Sequence, residues 1–99
     1  MSSSRAELST ADRIGAALRE RLTPVQLAVE DDSVRHAGHP GAREGGHFHV
    51  RIVSGHFRGL SRLARHRLVF ECVTGELGTL RAAGIHALAI EARTPEETT

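Results

Sequence analysis

The chain has 99 residues, 39% apolar and 25% charged, and its 13 basic residues nearly balance its 12 acidic ones. At this size folding buries roughly 60–65% of the surface the unfolded chain exposes, which supports one core and no second domain. Every basic residue is arginine and 7 further residues are histidine, so a near-zero net charge conceals a chain rich in imidazole. No apolar run approaches the roughly 20 residues of a membrane span, and the start MSSSRAELST lacks a basic segment followed by an apolar one. These features point to a cytoplasmic protein without membrane contact. The lone cysteine, Cys72, excludes an intramolecular disulfide and any cysteine-rich zinc or iron-sulfur site built by this chain alone. With no Trp, no Tyr and 3 Phe, it also lacks the aromatic platforms on which single-stranded nucleic acids stack.

Residues 1–8 are polar and read as a flexible N-terminus, leaving 9–97 as a single domain. Ser9 with Asp12 makes a capping start, and Ile14, Ala17, Leu18 and Leu22 recur at helical spacing until Thr23-Pro24 ends the run. A first strand is expected over Leu27 to Asp32. Residues 33–46 then turn to Gly, Pro, His and Arg, long for a hairpin connection, and contain His36 and His39. In a second strand Phe48, Val50 and Ile52 alternate with His47, His49 and Arg51, which places the apolar set toward the helices.

A turn at Ser54-Gly55 leads to Ser61, an N-cap for a long helix reaching about Leu77. Leu63, Val69, Phe70, Val73 and Leu77 mark its buried face, and Gly78 is its stop. The apolar run Ile85 to Ala92 reads as a third strand, interior to the sheet and parallel to the second through a right-handed crossover. Thr94-Pro95-Glu96-Glu97 has the pattern of a capped helical start. The fold class is therefore α+β: a three-stranded mixed sheet with helices on one face, in the order α-β-β-α-β-α.

Charge is unevenly placed, since residues 45–70 hold Arg51, Arg58, Arg62, Arg65 and Arg67 and no acid. Such a stretch suits phosphates, an acidic partner or solvent. His36 and His39 could reach one metal or one partner. His86 opens the third strand on the side of Leu88 and Ile90, as a histidine at the edge of the core would. Cys72 reads as a core residue. No nucleophile context, useful carboxylate pair or phosphate-binding glycine loop is present, so the sequence does not read as an enzyme.

Asp32-Ser33 with His36-Ala37-Gly38-His39, GGHFHVRIVS at 45–54, FRGLSRLARHRLV at 57–69 and IHALAIEARTPEE at 85–97 resemble the BolA family from about Ile14 to Glu97. The resemblance implies a type II KH-like fold. It also implies an adaptor that pairs with a monothiol glutaredoxin to bind or transfer a [2Fe-2S] cluster in iron-sulfur homeostasis. By the same resemblance His86 and either His36 or His39 are ligands, with His47 in support. The partner's cysteine and the thiol of glutathione complete the set, so no cofactor is held tightly by the isolated chain, which is expected as a monomer or weak homodimer. Because this chain lacks the loop cysteine of some members, a ligand from its loop must be histidine. The alternative function is a DNA-binding transcriptional regulator of stress response and cell morphology, carried by Arg58, Arg62, Arg65, His66 and Arg67. A true KH clamp is not evident, because Gly55 and Gly59 do not make the GxxG spacing.

Overall fold

A computed structural model of the chain describes residues 8–32 and 46–98. Helix α1 spans Thr10–Leu22, and its Ser9 cap accepts a hydrogen bond from the Asp12 backbone N–H at 3.1 Å. Strand β1 runs over Gln26–Asp31 and β2 over Gly46–Val53, paired antiparallel. Helix α2 spans Arg62–Leu77, with the Ser61 hydroxyl accepting from Ala64 N–H and Gly78, at φ +86°, ending the helix in a conformation that glycine tolerates. Strand β3, Ile85–Arg93, pairs parallel to β2, so β2–α2–β3 is a crossover unit. Among the described residues no helix is long and apolar enough to cross a membrane.

Both helices cover one face of the sheet. Ile14, Leu18 and Leu22 of α1 and Val69, Cys72 and Val73 of α2 meet Phe48, Val50 and Ile52 of β2. The alternation of β2 thus points its apolar residues inward, as its period requires. Beneath the helices lies Phe57, the largest fully buried side chain, carried by a 3-10 turn over Gly55–Phe57. Buried Ser54 locks this corner: its hydroxyl donates to the Leu22 carbonyl at 2.6 Å and accepts from His56 N–H at 3.1 Å. It therefore satisfies a carbonyl at the end of α1 that the helix itself cannot. Ser54→Ala is expected to lower stability by about 1–3 kcal/mol, because that carbonyl is left without a donor. A urea midpoint unchanged from the parent would contradict this.

Three expectations need correction. The sheet order is β1-β2-β3, so β3 is an edge strand and not an interior one. Its low polarity comes partly from exposed Ala87 and Ala89 on the uncovered face, small side chains that read as apolar without being buried. Leu63 is 59% exposed. It stands about 120° round α2 from the Val69–Cys72–Val73 stripe at 100° per residue, which puts it on the flank. The final helix is a 3-10 turn over Pro95–Thr98. It is held by a capping box in which Thr94 N–H donates to Glu97 Oε1 at 2.9 Å and Glu97 N–H to Thr94 Oγ1 at 3.3 Å.

Candidate functional site

The parallel ladder is irregular at its start. Gly46 pairs with Ile85 but His47 pairs with Ala87, so His86 is an extra residue opposite no partner. Such a bulge re-aims side chains. Ile85 enters the core before it, and Leu88, Ile90 and Ala92 pack against the core after it, a change of phase that strict alternation forbids. His86 is consequently exposed and its ring lies 5.1 Å from that of His47, tilted by 37°. The reading of His86 as a core-edge residue on the Leu88 side is overturned, because it assumed an unbroken strand.

The two imidazoles stand where β1 ends and β2 begins, so the connection over 33–45 joins the sheet at the same end. His36 and His39 fall within that connection and lie outside the described residues. An open pocket beside the pair is lined by Leu80, Arg81, Ile85 and His86. His49 sits further along the same sheet face, bound to Glu91 at 2.8 Å, with Arg51 reaching the same carboxylate at 3.3 Å. The pair therefore presents nitrogen donors at a sheet end. His49 lies in a carboxylate network: desolvation pushes the Glu91 carboxyl up, but hydrogen bonds from Arg51 and His49 together hold it below the usual range.

The basic residues divide in two. Arg58 makes three hydrogen bonds to the Glu96 carboxylate at 2.6–3.1 Å. Arg65, its side chain only 15% exposed, donates to the Leu60 and Ala92 carbonyls and to both Glu97 carboxylate oxygens. It joins α2, β3 and the C-terminal turn through a fork that lysine cannot reproduce. Arg62, His66 and Arg67 lie on the same helix outside this network, with His66 half-buried and the two arginines exposed.

The C-terminal clamp should be visible in acid. The Arg65 guanidinium, helped by Thr94 N–H, holds the Glu97 carboxyl at about 2, and Arg58 does the same for Glu96. Carboxyls that titrate lower when folded stabilise the fold above their ordinary range and lose that contribution as pH falls toward 2. In urea melts from about pH 5 down to about pH 2, Glu97→Gln should flatten the acid decline. Arg65→Ala should cost about 2 kcal/mol at neutral pH, with Arg65→Lys restoring only part. An acid limb identical in parent and Glu97→Gln would show that the clamp does not set it.

Cys72 is buried, as its place on α2 implied, and burial pushes its thiol up from the ordinary range. That disfavours the thiolate needed for redox or metal chemistry.

A family model described as BolA-like protein matches residues 18–97. The chain belongs to the BolA-like family. The chloroplastic protein BOLA1 of Arabidopsis thaliana is 43% identical over 91 residues, covering 88% of this chain and 54% of that protein. SufE-like protein 1, chloroplastic/mitochondrial, of the same plant is 44% identical over 91 residues, covering 86% of this chain and 24% of that protein. The chain thus spans about half or less of these curated relatives. The solved BolA domain of SufE1 from Arabidopsis thaliana superposes with a TM-score of 0.72 at 47% identity, over 91% of this chain and 96% of that one. Helix, strand and crossover order are those of a BolA domain. The sequence signals single out the histidines and the basic helix but miss Arg65 as a clamp. The Thr94-to-Glu97 capping pattern located one partner of that clamp without naming the other.

Proposed function

We propose that this BolA-like chain is a non-enzymatic adaptor that offers imidazoles to a [2Fe-2S] cluster shared with a monothiol glutaredoxin. The observation that carries the reading is the bulge at His86, which takes this side chain out of the core and sets its ring beside His47 at the sheet end where 33–45 joins. Imidazole nitrogen is a competent iron ligand in mixed sets with thiolate. Two imidazoles make half of a four-ligand set, and thiolates from the partner's cysteine and glutathione make the other half. The cluster is cargo in this reading: the chain's own residues orient nitrogen donors and hold the sheet end rigid.

Mixing the purified chain with a monothiol glutaredoxin, iron, sulfide and glutathione, and recording visible circular dichroism with native mass, tests the reading. A heterodimer with a spectrum unlike that of glutaredoxin alone is the expected result. Absence of both sinks the adaptor. The nucleic-acid alternative has less support, because Arg58 and Arg65 are engaged internally and leave Arg62, Arg67 and His66 to meet phosphates. If DNA is bound, exchanging Arg62 and Arg67 should weaken binding and flatten its salt dependence.

A further inference from the structure

A second feature lies away from the histidine pair: a polar groove between the outer edge of β3 and the first two turns of α2. Ser54 N–H donates to the Arg93 carbonyl at 2.9 Å, so that carbonyl faces β2. Strand alternation turns the backbone groups of Leu88, Ile90 and Ala92 the other way, away from β2, and Ile90 and Ala92 line the groove. The Ala92 carbonyl agrees, since it accepts from Arg65 at 3.1 Å on that side. Among the described residues no strand pairs with the outward N–H and C=O groups of Leu88 and Ile90, because β3 ends the sheet that these residues form.

An edge of this kind is usually blunted by proline, lysine or a bulge. Here Ala87–Arg93 contains neither residue, its charges are confined to Glu91 and Arg93 at one end, and the register shift lies before it, at His86. The side chains along the groove are cationic in balance. Arg62 and His66, four apart, share one face of α2, and Arg93 stands on the strand. Of the groove's two carboxylates, Glu97 is bound by Arg65, and Glu91 is bound by His49 with Arg51 and lies 3.7 Å from Arg93, whose side chain stays 58% exposed.

We propose that this edge takes an extended acidic segment of a partner protein as an added strand. The segment's backbone pairs with Leu88 and Ile90, and its carboxylates meet Arg62 and Arg93. A peptide backbone supplies alternating donors and acceptors, as the free edge requires. Nucleic acid fits less well: the chain has no Trp or Tyr, and Phe48 and Phe57 are buried. The proposal does not draw on the cluster reading, whose histidines precede Leu88 at the start of the strand.

The probe is a fluorescein-labelled peptide of about eight residues alternating Glu and Val, long enough to pair with this short edge. It would be titrated by anisotropy, and amide shifts would be followed by NMR. Shifts centred on Leu88, Ile90, Arg62 and His66 are expected, with affinity falling about tenfold or more in Arg62→Glu/Arg93→Glu. The same peptide N-methylated at alternate amides leaves the protein untouched and should not bind. Equal binding of the methylated peptide, no binding of either, or shifts elsewhere would overturn the proposal. So would tighter binding of oligo-dT at the same amides, or sedimentation showing that a second copy of the chain occupies the edge.

Discussion

Replacing His86 with alanine is expected to leave the fold intact and to remove the chain's contribution to a shared cluster. The residue is the extra one in a bulge, exposed and outside the core, so its truncation opens no cavity. Bound cluster in the glutaredoxin mixture should fall on the order of 10–100-fold, the scale at which even outer partners of a metal site act. His47→Ala should weaken the complex less if His47 supports and His86 ligates, and equally if both ligate. His49→Ala is the control, since its ring is engaged with Glu91 and Arg51 shares that carboxylate. Visible circular dichroism of each variant, with far-ultraviolet spectra to confirm folding, makes the comparison. Full cluster binding by His86→Ala would remove the histidine pair from the mechanism, whereas loss in His36→Ala or His39→Ala would identify the loop ligand.

Phe57→Ala should be the most damaging single truncation in the core. The ring is wholly buried between the helices and the sheet. It is held by a turn whose Phe57 N–H donates to the Ser54 carbonyl and whose Phe57 carbonyl accepts from Leu60 N–H. Deleting a buried Phe costs about 3–5 kcal/mol through lost transfer energy and the cavity left behind. A small domain has about 5–15 kcal/mol in all. A fall in Tm on the order of 15 °C or more, or loss of a cooperative transition, is therefore expected. Phe57→Leu, which keeps most of the volume, should cost about 1.5 kcal/mol or less. A melt of Phe57→Ala that matches the parent would mean the turn can collapse onto the vacancy.

Much of the architecture was legible because it rests on local rules. Ser9 and Ser61 cap because a hydroxyl can accept the free N–H groups of a first turn. The alternation of Phe48, Val50 and Ile52 sorts β2 into two faces whatever packs on it. What failed had a common cause. Spacing alone puts Leu63 on the buried face, but its exposure depends on how far the covered stripe extends round α2. The run 85–92 looked interior because alanine scores as apolar, although strand order is decided by partners distant in sequence.

The histidines divide along the same line. Their number, their separation from the lone buried cysteine and the opposite facing of His47 and Phe48 are properties of the chain, since strand period and composition are local. That His86 meets His47 is not, because one inserted residue in a ladder between segments about 40 apart reverses the phase of everything before it. Likewise the acid-free stretch 45–70 announced a basic surface. Only packing against the acidic C-terminal turn decided that Arg58 and Arg65 are held as clamps while Arg62 and Arg67 keep their charge toward solvent. Sequence thus determined the kinds of side chain and their local faces. Tertiary structure decided which of them meet, because charge pairing and ring contact depend on distances across elements that no local period encodes.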